Sequence, residues 1–209
     1  MKNAGCKAAL SFHVGSQCYD PRAYRTALSM IDETLRRARI PIVALDIGGG
    51  FPASYPNVSA PPLAKYIRTI IEGVAPLTLG HATTLMCELG RALVADGMSV
   101  VTKVYLRRDD RLYINDGIFG SFAESSFNQF QLPARLIKTN GLVGKSLRPF
   151  TIFGPTCDSN DQLPQPVSLP DNVHEGDWIE FTLLGAYSNA LNTNFNGFGA
   201  RRFVNIEDT

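Results

Sequence analysis

Ile42, Val43, Ala44, Leu45, Asp46, Ile47, Gly48, Gly49, Gly50 and Phe51 form the stretch on which the fold turns. Residues 42–47 are a short apolar run, the pattern of a strand buried on both faces, and three glycines break it abruptly. Pro41 restarts the chain just before it. Glycines at a strand end let backbone N–H groups approach an anion closely, phosphate above all, where a helix begins soon afterwards. The same three residues equally suit a plain flexible turn.

Upstream, residues 8–14 form another short apolar run, ending at His13 and Gly15. Asp20 then stands at a helix cap and Pro21 at the first helical position, followed by Tyr24, Ala27, Leu28, Ile31, Leu35 and Ala38 at helical spacing. Downstream of the glycines, Pro61 and Pro62 precede a second helical stripe of Leu63, Tyr66, Ile67, Ile70, Ile71 and Val74. Residues 83–87 make a third strand-like run that closes at Glu88 and Gly90. Strand and helix alternate up to about residue 95, the pattern of a parallel sheet or an α/β barrel.

The pattern then changes. Val100, Thr102, Val104 and Leu106 alternate with Val101, Lys103, Tyr105 and Arg107, and a polar turn at Arg108, Asp109 and Asp110 leads into residues 112–115. That predicts an antiparallel hairpin, and residues 149–153, 178–184 and 201–205 are further strand candidates in a β-rich second domain. The boundary is placed near residue 97, giving an α/β part over residues 1–97 and a β domain over residues 98–209.

Composition narrows the classes of function. At 209 residues, 44% hydrophobic and 19% charged, the chain is long enough to bury one core or two small ones. A net charge of +1 with no Lys/Arg block predicts no nucleic-acid or membrane partner. The four cysteines (Cys6, Cys18, Cys87 and Cys157) include no CxxC pair, so neither a zinc site nor a redox pair is expected and free thiols are the default. Residues 1–10 hold no apolar segment of a secretory signal, and no run of about 18 apolar residues occurs anywhere. A soluble, cytoplasmic protein is expected.

Several motifs carry chemistry, and each has a purely structural alternative. Glu88 and Arg91 lie three residues apart at a strand end, either joining an acid to a phosphate-binding guanidinium or forming a surface ion pair. His13 is a functional ring at a strand end or a satisfied structural histidine, and Ser16 beside it offers a hydroxyl to a phosphate. Asn115, Asp116 and Gly117 read as a hairpin turn or as a presented carboxylate. Gly154, Pro155, Thr156, Cys157, Asp158, Ser159, Asn160 and Asp161 place a thiol between polar and acidic neighbours, although a small buried Cys157 is the competing reading. Tyr187 and residues 194–198 serve a site or simply pack.

Taken in order, residues 11–17, 46–52, 88–95, 115–122, 154–161, 185–187 and 195–198 resemble the ornithine decarboxylase family of pyridoxal-phosphate-dependent enzymes, which act on ornithine, lysine, diaminopimelate or arginine. The resemblance covers nearly the whole chain. It implies the C-terminal part of a (β/α)8 alanine-racemase-like barrel followed by a β-barrel or sandwich domain. It further implies that His13 stacks on the cofactor ring, that Glu88 faces the pyridine nitrogen, and that Ser16, Gly48, Gly49, Gly50, Arg91 and Tyr187 hold the phosphate.

Cys157 would return a proton to the former α-carbon, and Asp116 and Asp158 would receive the distal amine of a diamino acid. In such a family the cysteine loop crosses to a partner's barrel, so a homodimer is implied. The expected reaction makes putrescine from ornithine, or cadaverine from lysine, in polyamine biosynthesis.

Two departures qualify the resemblance. Leu89 stands where the family has proline, keeping Glu88 and Arg91 while loosening the turn. None of Lys2, Lys7, Lys65, Lys103, Lys138 or Lys145 sits in the family's cofactor-lysine motif. About three barrel strands are present, so open sheet edges and an uncovered apolar face are expected. A truncated form, inactive alone or completed by a separate N-terminal chain, is one expectation. A noncatalytic regulatory homologue that binds an intact decarboxylase is the alternative.

Overall fold

The computed structural model describes residues 5–80, 82–128, 131–199 and 202–206. It divides into two compact units, the first running to Leu93 without Tyr55–Val58, the second made of Tyr55–Val58 and the chain from Val94 onward.

In the first unit β1 (Ala9–Ser11), β2 (Ala44–Asp46) and β3 (Thr84–Met86) pair in parallel in that order, with Leu10, Leu45 and Leu85 in register. Helices α1 (Arg22–Ala38) and α2 (Leu63–Val74) connect them and pack together, and a single turn, α3 (Arg91–Val94), follows β3. Regular helix starts one residue later than expected, at Arg22, although Pro21 already has helical dihedral angles. Asp20 performs the anticipated capping, its Oδ1 accepting the Arg22 N–H at 2.9 Å.

Tyr24, fully buried, stacks on Phe51 at 5.1 Å and meets Tyr66 edge-on at 5.9 Å. Burial pushes the Tyr24 phenol well up and the Tyr66 phenol to about 12, so both stay protonated donors. Tyr24 Oη donates to the Gly49 carbonyl at 2.8 Å and Tyr66 Oη to the Cys18 carbonyl at 2.7 Å. The aromatic core thus fixes the glycine loop onto α1.

The expected helical stripe on α2 is divided. Tyr66, Thr69 and Ile70 point into the core, whereas Leu63, Ile67 and Ile71 are exposed, Ile71 at 64%. All three β3 residues are exposed too. The described residues form three parallel strands and no closed (β/α)8 barrel, which leaves the surface that further strands and helices would cover open to solvent.

The second unit is a six-stranded mixed sheet of β4 (Val100–Arg108), β5 (Arg111–Ile114), β6 (Ala134–Ile137), β7 (Leu147–Phe153), β8 (Val167–Pro170) and β9 (Trp178–Phe181), in the order β6-β9-β4-β5-β7-β8. β5 and β7 run parallel and all other neighbours antiparallel. The end strands β6 and β8 approach one another, so the sheet nearly closes around Val104, Leu112, Phe122, Phe150, Ile152, Leu169, Ile179 and Phe181.

Val100, Thr102 and Val104 face inward as expected, but a bulge between Val104 and Leu106 breaks the alternation before Leu106 can continue it. The strand expected over residues 201–205 is not formed by its described part, where Phe203 and Val204 are exposed and no ladder partner meets them; Arg201 lies outside the described residues. β9 stops at Phe181, three residues short of the expected end.

An ion pair lies inside this unit: Lys138 Nζ donates to Asp177 Oδ2 at 2.8 Å, with both side chains nearly inaccessible. No helix among the described residues is long and apolar enough to cross a membrane.

Candidate active site

In the first unit three chain segments leave the same end of the parallel sheet and meet. After β1, His13 Nδ1 accepts the Gly15 N–H at 2.9 Å, which orients the ring. After β2 the glycines pass so close to their neighbours that side chains would not fit. A Cβ on Gly48 would lie 1.9 Å from the Phe12 carbonyl oxygen, one on Gly50 2.3 Å from that of Gly15, and one on Gly49 2.9 Å from that of Glu88. Gly48 and Gly50 also have φ of +71° and +96°, conformations natural to glycine.

After β3 the Glu88 N–H donates to the Gly48 carbonyl at 2.9 Å, so the third exit is tied to the second. Arg91, only 3% exposed, points its Nη2 at Ser16 Oγ, 3.5 Å away. A guanidinium and a hydroxyl from positions 75 residues apart are therefore adjacent.

That pair, on the strand ends that also carry the glycine loop, has the donor chemistry of a phosphate cradle, and the exposed His13 and Glu88 flank the loop, a Cβ on Gly49 lying 3.3 Å from His13 Nε2 and 2.9 Å from the Glu88 carbonyl oxygen. The residues present fit a phosphorylated ring cofactor.

Gln17 is a contributor the motif reading passed over. Buried at φ +53°, it accepts the Ala53 N–H at 2.8 Å and donates to the Ala53 carbonyl at 3.2 Å, fastening the β1 exit to the chain beyond the glycines. Gly48→Ala is expected to destabilise this unit by at least about 2 kcal/mol, because it combines a left-handed φ with a backbone collision. Urea unfolding measures it, and a neutral substitution would show that the strand ends do not meet this closely.

The second unit holds the acids and the thiol. Asp116 is 4% exposed and its Oδ1 accepts the N–H groups of Gly117 (2.8 Å) and Ser121 (3.0 Å), which closes a local turn after β5; it is not the expected hairpin turn, because β5 pairs antiparallel with β4 through residues 109–110 instead. Oδ2 is buried and has no hydrogen-bond partner among the described residues.

Cys157 is exposed, against the buried alternative, and Asn196 Nδ2 donates to its Sγ at 3.3 Å. Asp158, half-buried, accepts from Asn160 N (2.8 Å) and Nδ2 (3.0 Å) on its Oδ1, a local turn. Phe195 packs on Phe119 at 4.7 Å and Thr193 donates to the Phe119 carbonyl at 2.6 Å, so residues 193–196 lie against the Asp116 turn.

A groove lined by Tyr113, Phe153, Cys157, Asp158 and Phe198 runs along this face. Tyr187 belongs to the second unit as well, at φ +62° ahead of α4 (Ser188–Leu191), after Gly185. The structure thus brings together His13, Ser16, Gly48, Gly49, Gly50, Glu88 and Arg91 in one unit, and Asp116, Cys157 and Asp158 in the other.

Residues 18–185 match the family described as pyridoxal-dependent decarboxylase, C-terminal sheet domain, and the chain belongs to that family.

The chain is 34% identical to ornithine decarboxylase of Schizosaccharomyces pombe over 95% of its own length and 48% of that protein's. It is 32% identical to antizyme inhibitor 2 of Xenopus laevis, over 90% and 45%. Among solved structures, lysine/ornithine decarboxylase from Vibrio vulnificus, complexed with putrescine, superposes with a TM-score of 0.75 at 33% identity, over 91% of this chain and 52% of that one. The chain spans about half the length of the curated relatives it matches.

Proposed function

We propose that this chain serves the pyridoxal-phosphate-dependent decarboxylation of ornithine or lysine, yielding putrescine or cadaverine for polyamine synthesis in the cytoplasm. The observation that carries the reading is the convergence of His13, Ser16, the glycine loop, Glu88 and Arg91 at three strand ends. Residues 1–97 take the part of the cofactor-binding end of a barrel, and residues 98–209 carry the cysteine loop. When bound, the cofactor supplies the ring that accepts the electrons released as carbon dioxide departs.

The residues divide the remaining work. Ser16, Arg91, Tyr187 and the N–H groups of Gly48, Gly49 and Gly50 hold the phosphate, His13 stacks on the ring, and Glu88 keeps a proton on its nitrogen. Asp116 offers its unpartnered Oδ2 to the substrate's distal ammonium and Asp158 offers a second carboxylate, which favours a diamino acid over one ending in a carboxylate. Cys157 gives a proton to the former α-carbon. The Cys157 loop acts across a homodimer interface, and a lysine-bearing segment, in the same polypeptide or a separate one, completes the centre.

The test is release of carbon dioxide from ornithine and from lysine by the protein assembled with a lysine-bearing N-terminal half and the cofactor. Release from either substrate is expected. No release from both would sink the assignment. The similarity to antizyme inhibitor 2 favours a second reading, a noncatalytic homologue that regulates an intact decarboxylase. That reading predicts a changed activity of a separate, complete ornithine decarboxylase when this chain is added, with no turnover of its own.

A further inference from the structure

Of the two acids in the cysteine loop, Asp161 has no part in the chemistry above, yet it is the more deeply buried, at 2% exposure. Its Oδ1 accepts the Ile118 N–H at 2.9 Å, and its Oδ2 accepts both the N–H (3.0 Å) and the hydroxyl (2.7 Å) of Thr156. One carboxylate thereby joins the turn that carries Asp116 to the residue preceding Cys157.

The slot is shaped for this group. A Cβ on Gly117 would lie 2.0 Å from Asp161 Oδ1 and one on Gly154 2.2 Å from it, so both positions are side-chain-free where the carboxylate enters. The main chain of Asp161 closes the loop as well, accepting the Gly154 N–H at 2.7 Å and donating to the Asp158 carbonyl at 3.0 Å. Three donors on two oxygens demand an acceptor-only group.

We infer that Asp161 is a positioning residue that holds the Asp116 turn and the Cys157 loop in one arrangement, so that amine binding and proton return depend on it together. The part about amine and proton rests on the proposed decarboxylation; the clamp itself does not.

Asp161→Asn tests it. Either orientation of the amide sets its NH2 against the N–H of Ile118 or the donors of Thr156, at nearly unchanged volume. Site-resolved hydrogen exchange on the full chain reads the outcome. The amides of Gly117 and Ser121 bond to Asp116 and not to Asp161, so a merely local role leaves them alone.

They are expected to exchange at least tenfold faster in the variant, together with Ile118, Gly154 and Thr156, while Thr102 and Ile179 in the sheet are unchanged. Thr156→Val, which removes only the hydroxyl bond, is expected to give the same pattern at about threefold. Unchanged protection at Gly117 and Ser121, or equal loss throughout the unit, would overturn the clamp.

In the assembled enzyme, Asp161→Asn is expected to raise KM for ornithine at least fivefold and lower kcat at least tenfold; unchanged values of both would overturn its role in catalysis. An assembly of the unsubstituted chain that releases no carbon dioxide refutes the decarboxylation reading, and the exchange pattern then still decides the clamp.

Discussion

Asp177→Ala is expected to lower the unfolding free energy by about 3–5 kcal/mol, the usual cost of removing one member of a buried ion pair. The carboxylate accepts from Lys138 Nζ and the His174 N–H at 2.8 Å each, and from the Thr139 N–H at 3.3 Å and hydroxyl at 3.4 Å. Its loss leaves a buried ammonium whose remaining partner is the Asn172 carbonyl, at 2.8 Å. Because native proteins are stable by only about 5–15 kcal/mol, the second unit would be close to unfolded.

The same pair predicts a dependence on pH. Burial pushes the Asp177 carboxyl up, but the Lys138 bond, the His174 and Thr139 N–H groups and the Lys138 charge outweigh it, so it lies below the ordinary 3.8. A depressed carboxyl contributes its stabilisation fully above the unfolded-state value and loses it as pH falls through the lower folded-state value. The gap between the natural chain and Asp177→Ala should therefore be constant from pH 7 down to about 5 and shrink on acidification below about 4. Urea unfolding at a series of pH values measures both. A gap under 1 kcal/mol at pH 7 would contradict a buried pair.

Cys157→Ala is expected to reduce turnover of the assembled enzyme by about 10²–10⁴-fold, the range lost when a positioned proton donor is removed. The thiol is exposed and, among the described residues, receives one side-chain hydrogen bond, from Asn196, so the substitution should leave thermal stability nearly unchanged. KM should change little, because amine recognition is assigned to Asp116 and Asp158. Steady-state rates of carbon dioxide release, taken with a melting curve, separate these effects. Turnover within threefold of the natural chain would assign the proton to another group.

Local patterns led to much of the fold. Residues 42–47 followed by three glycines became β2 and a tight loop, because an apolar run and a change in backbone freedom both act within a few residues. The Asp20 cap and the buried stripe of Tyr24, Leu28 and Ile31 on α1 were likewise legible as helical periodicity. The bulge before Leu106 was not, since register depends on what the partner strand presents.

The sequence by itself determined which residue types stand at strand ends and loops: the glycines, His13, Ser16, Glu88, Arg91, Asp116, Cys157 and Asp158. Tertiary structure alone put Arg91 against Ser16, turned one oxygen of Asp116 into a buried free acceptor, gave Gln17 and Asn196 their partners, and made Asp161 a clamp while Asp158 stayed half-exposed. Those choices are pairings between groups that the chain brings together only on folding. A buried polar atom must find its partner wherever the packed chain places one, and no local pattern records where that is.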